Sequence, residues 1–134
     1  LIYKYQVYGV FKQTRLLAFL VTRVVQYKES KCLRIVDFYG EDTTLSTFTF
    51  HLSQLMVENN FEYVDFYCKG LDESIIKDAG FLKLNDHSIV PNHFEPFVRK
   101  NSTLHYFTDA SDSENLRIYK ADGDQDRPNK PSES

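Results

Sequence analysis

One change of period constrains this chain more than any other feature in it. Residues 33–39 (LRIVDFY) read as a strand that ends at Gly40. Across residues 42–60 the apolar side chains Leu45, Phe48, Leu52, Leu55 and Met56 then recur at steps of three and four. That is one face of a helix about five turns long. Asp42 or Thr43 can cap its start, and Asn59-Asn60 can stop it. Residues 61–68 (FEYVDFYC) return to strand. Strand, helix and strand in direct succession predict a βαβ unit whose two strands run roughly parallel.

Two further strands precede this unit. Residues 3–11 alternate Tyr3, Tyr5, Val7 and Gly9 against Lys4, Gln6, Tyr8 and Val10. Residues 16–27 (LLAFLVTRVVQY) are apolar on both faces in their first half, which predicts a central strand covered on both sides. The links are short and polar, so these strands and 33–39 form an antiparallel meander. Downstream, residues 72–79 predict a short helix. Asp72 is its cap, Leu71, Ile75, Ile76 and Ala79 form its apolar side, Gly80 is its left-handed stop, and Phe81 packs back over its last turn. Residues 81–84 and 104–108 read as two more strands and 116–120 as an edge strand. Prolines at 91 and 96 make the stretch between irregular. The fold class is α/β (α+β): a mixed, mostly antiparallel sheet with a central βαβ unit. Residues 1–120 form the core, and 121–134 form an acidic polar tail, expected to be mobile unless gripped.

Several function classes are excluded at this level. The net charge is −3, from 16 Lys and Arg against 19 Asp and Glu, and a nucleic-acid binder needs a basic face. No apolar run approaches a membrane span. Cys32 and Cys68 are too few for a disulfide scaffold and too far apart for a zinc or redox motif, so a reducing, cytoplasmic home is expected. The chain opens at Leu1 inside an apolar-aromatic run, as a piece of a longer protein would. His51, His87, His93 and His105 have no metal-ligand spacing, and His51 is expected at the surface. Asp122, Asp124 and Asp126 match the first ligands of a calcium loop. Arg127 stands where that loop needs glycine, however, so no metal is expected.

The order β-β-β-α-β-α-β-β, with a long helix after the third strand and Asp78-Ala79-Gly80-Phe81 closing the second helix, resembles the GNAT acyltransferase superfamily. The likeness spans roughly residues 3–108 and lacks the family's first strand and first two helices. With the 91–96 proline segment and the 122–129 stretch (DGDQDRPN), it also resembles a GNAT-like branch tied to bacterial surface-polysaccharide synthesis. The resemblance implies acetyl-CoA or another acyl-CoA as co-substrate. Its pantetheine amides would lie along Ile35, Val36, Asp37 and Phe38. Its diphosphate would rest on the N–H groups of Asp42, Thr43, Thr44 and Leu45, where orphan donors and the helix dipole favour anions.

Two departures bear on that implication. The family's glycine-rich, basic diphosphate loop is here Tyr39-Gly40-Glu41-Asp42-Thr43-Thr44, with one glycine and two carboxylates. A like charge ~5 Å away at an effective dielectric near 20 costs on the order of 3 kcal/mol, and Asp42 can cap the helix itself. The family's acid, a tyrosine four residues before the closing glycine, falls on Ile76. Candidate replacements are Asp65 as base and Tyr67 as acid, which share a strand face with Tyr63. The same pattern fits Asp65 paired with Arg34 and Tyr67 packed in the core. Cys68 reads as a small hydrophobe rather than a nucleophile. Two functions follow as expectations. One is an acyl-CoA-dependent N-acyltransferase acting on a small-molecule amine such as an amino sugar. The other is a degenerate, inactive GNAT-like binding or assembly domain that works as a homo-oligomer or with an upstream domain of the same protein.

Overall fold

The computed structural model describes residues 4–85, 87–88, 90, 105–109, 111 and 115–123. Strands β1 (Tyr5–Lys12), β2 (Arg15–Tyr27) and β3 (Ser30–Gly40) form the antiparallel meander, joined by two-residue turns. After β3 come a 3₁₀ helix (Asp42–Phe48), α1 (Thr49–Asn59), β4 (Tyr63–Phe66), β5 (Cys68–Lys69) and α2 (Glu73–Asp78). Near the end of the described chain lie β6 (Ile118–Tyr119) and a single 3₁₀ turn (Lys120–Asp122). The main sheet runs β1-β2-β3-β4, and β4 is parallel to β3. The chain is therefore α+β with a mostly antiparallel mixed sheet and the expected βαβ crossover at its centre.

The core forms where the helices cover one sheet face. Ala18 and Leu20 of β2 and Leu33, Ile35 and Phe38 of β3 meet Leu45, Phe48 and Leu52 from the helical side. Leu33 and Ile35 alternate to this face, but Phe38 breaks the period. The reason is a bulge: Val21 opposes Asp37 and Thr22 opposes Ile35, which leaves Val36 unpaired. The bulge returns Phe38 to the core and sends Asp37 to the other face. No helix among the described residues is long and apolar enough to cross a membrane.

Several expectations are corrected. The predicted 42–60 helix is 3₁₀ in its first half and α in its second. Asp42 does not cap it: Glu41 holds that position, without a side-chain cap bond. Strand 61–68 is broken at Tyr67 into β4 and β5. No strand forms at 81–84 or 105–108. Leu82 and Phe107 are almost fully exposed, and among the described residues no strand pairs with either stretch. The predicted 116–120 strand shrinks to β6, which pairs with β5. His51 is not a free surface residue: its ring meets Tyr8 edge-on at 4.7 Å, and Nε2 is buried without a hydrogen-bond partner among the described residues. Leu104, His93, the 91–97 proline segment and the tail beyond Gly123 lie outside the described residues.

The second helix matches its sequence signals. The Asp72 carboxylate accepts from the Ser74 N–H at 2.7 Å. Gly80 is left-handed at φ +85°, and the Gly80 and Phe81 N–H groups bond back to the Lys77 and Ile76 carbonyls. This is a Schellman stop. It turns the Phe81 ring against Phe66, 5.9 Å away.

Candidate functional site

The parallel pairing of β3 and β4 is short. It runs from Cys32 opposite Tyr63 to Ile35 opposite Phe66, and there it ends. Beyond Ile35, β3 continues to Gly40. The segment after β4 passes through Tyr67 into β5, which pairs with β6 instead. The two parallel strands therefore part into a wedge. Ile35, Val36, Asp37 and Phe38, the residues a pantetheine chain was expected to follow, lie on its β3 side.

The protein fills this wedge itself. β6 and the turn Lys120–Asp122 lie against β3 while β6 is hydrogen-bonded to β5. The Tyr119 ring stacks on Phe66 at 5.8 Å with planes 8° apart, and Tyr119 joins the main core. Lys120 is buried beside it. The Tyr119 N–H donates to Asp122 Oδ2 at 2.7 Å. On the facing strand, Asp37 Oδ1 accepts the Phe38 N–H at 2.8 Å. Burial raises the Asp37 pKa most, the Phe38 N–H lowers it, and the Asp122 charge raises it further. Its folded pKa lies above the unfolded value, so Asp37 favours this arrangement in acid, and the contribution is lost as pH rises through the raised pKa.

The start of the 3₁₀ helix, the expected anion seat, is also engaged. Arg117 grips Asp42 in a two-pronged ion pair, 2.5 Å to Oδ1 and 2.8 Å to Oδ2. Arg15, at the start of β2, bonds Glu41 at 2.8 Å. Thr44 donates both its N–H and its hydroxyl to the Glu41 carbonyl, and Thr44 and Leu45 are buried while Thr43 is exposed. The sequence places two carboxylates here, Glu41 and Asp42. The fold adds two guanidiniums, from positions 26 and 75 residues away in sequence, so the four side chains sum to zero charge. No local motif points to either arginine.

Asp65 and Tyr67 sit on the sheet face opposite the main core. Arg34, 1% exposed, donates through Nε and Nη2 to both Asp65 oxygens at 2.6–3.2 Å, and its guanidinium lies 5.1 Å from the Tyr67 ring centre. The register explains the pair, because Arg34 and Asp65 are direct partners across β3 and β4. Burial pulls the Arg34 pKa down, but the Asp65 hydrogen bonds and charge pull it up further, so it stays a cation. Burial first, then the Asp65 charge, raises the Tyr67 phenol above its ordinary value. Cys32, beside them, is pushed up to about 12 by burial and then by Asp65. A base at Asp65 would thus have both oxygens already bonded, and Tyr67 is a protonated phenol at neutral pH. Among the described residues no group of His, Cys, Asp and Glu is placed to hold a metal ion. Comparison with protein-family models, with curated proteins and with solved structures finds no match to this chain.

Proposed function

We propose that this chain is a GNAT-like module used for binding or assembly, not for acyl transfer. One observation carries the reading: residues 117–122 occupy the wedge that an acyl-CoA would need. Three others support it. Arg117 takes up Asp42 at the expected diphosphate seat, Ile76 replaces the usual acid, and Arg34 holds Asp65. The sheet also offers a contact surface. Among the described residues β1 has no strand on its outer side, and Tyr5, Val7 and Phe11 are largely exposed along it. Such an edge suits pairing with another chain.

A second reading is favoured by the wedge itself and by Arg15 and Arg117 at its mouth. In it the chain is an acyl-CoA-dependent N-acyltransferase for an amine acceptor such as an amino sugar of a surface polysaccharide. The amine attacks the thioester carbonyl, Asp65 accepts the amine proton, and Tyr67 gives its proton to the departing thiolate. This chemistry needs residues 117–122 out of the wedge and Asp65 released from Arg34. Calorimetric titration of acetyl-CoA into the chain decides between the two. The binding-module reading predicts no heat up to millimolar concentration, whereas a saturable one-to-one isotherm overturns it in favour of the transferase.

A further inference from the structure

The segment in the wedge has a short ladder. It makes two ladder pairs, Cys68 with Tyr119 and Lys69 with Ile118, and both are with β5. It runs along β3 without a ladder. Tyr119, stacked on Phe66, and the buried Lys120 anchor its middle. Its upstream end is tied by the Arg117–Asp42 ion pair, whose side chains are 43% and 23% exposed, and partly solvated pairs of this kind hold weakly. Its downstream end brings Asp122 toward Asp37, charge against like charge. Where the segment crosses the end of β5 it lies flat on the backbone: a Cβ on Gly70 would come within 2.1 Å of the Leu116 carbonyl oxygen. Segments with few buried bonds open at a cost below that of global unfolding.

We infer that residues 117–122 form a strap over the wedge, latched by the Arg117–Asp42 pair, which opens while the sheet stays folded and uncovers the outer edge of β3 from Val36 to Gly40. The opening is read on the chain alone, without ligand, so its test is separate from the acetyl-CoA titration.

The chain carries its own pair of reporters. Cys68 is the register partner of Tyr119 and is half-buried beside the strap. Burial raises its thiol to about 11, which slows its reaction when the strap is closed. Cys32 lies in the middle of the sheet, 2% exposed, and is reached only when the sheet comes apart. The full chain is treated with an aromatic disulfide reagent, and each cysteine is followed by peptide mass spectrometry. The unmodified sequence is expected to label Cys68 at least about tenfold faster than Cys32. Arg117→Gln and Asp42→Asn are each expected to speed Cys68 several-fold and leave Cys32 unchanged, and the double variant is expected to match either single one. Equal rates at the two cysteines would overturn the inference, since the strap would then open only with the whole fold. A Cys68 rate that neither variant moves would also overturn it, since the ion pair would then hold nothing shut.

Discussion

Replacing Asp65 by alanine is expected to cost the fold about 3–5 kcal/mol, enough to unfold much of a marginally stable domain. The reason lies in its partner. Arg34 is 1% exposed and gives three contacts of 2.6–3.2 Å to the Asp65 carboxylate. Removing the carboxylate leaves a buried cation whose principal counter-charge is gone. The Tyr67 ring 5.1 Å away offsets part of the loss. Arg34→Met together with Asp65→Leu removes both charges and keeps the volume, and it is expected to recover most of the stability. Urea unfolding of the two single variants and the double variant gives the coupling directly. A loss below about 1 kcal/mol in Asp65→Ala would mean that Asp65 is free to do other work, including proton transfer.

Ile35→Ala is expected to cost about 2–5 kcal/mol. Ile35 has no exposed surface and is the last residue of β3 paired with β4. The pantetheine role implied for it in the transferase reading belongs to its backbone, whereas its side chain fills the core. Val7→Ala, on the exposed face of β1, is expected to stay within about 0.5 kcal/mol. Urea midpoints compared at constant slope check both, and equal effects would contradict the assignment of the core to the helix-covered face.

What the sequence revealed depended on how far each signal reaches. The meander and the crossover were legible because long apolar runs in β2 and β3, and steps of three and four after Asp42, are local patterns repeated many times. The α2 stop was legible because Asp72 and Gly80 act within a few bonds of themselves. The Val36 bulge was not, because an extra residue in a ladder shows only against its partner strand. The Arg34–Asp65 pair was visible as one of two options for Asp65, and register chose between them. Arg15 and Arg117 were missed altogether, because only the folded chain brings them to Glu41 and Asp42. Residues 81–84 and 105–108 carry strand-type side chains, but burial of those side chains decides whether a strand forms, and Leu82 and Phe107 are exposed.

Proton–proton contacts in isotope-labelled protein read directly what stands between β3 and β5. The wedge predicts cross-strand contacts between 32–35 and 63–66, and contacts from residues 118–122 to both 36–38 and 68–69, with the Tyr119 and Phe66 rings close. A ladder of contacts running on from 36–38 straight to 68–69, with residues 118–122 touching neither, would contradict it.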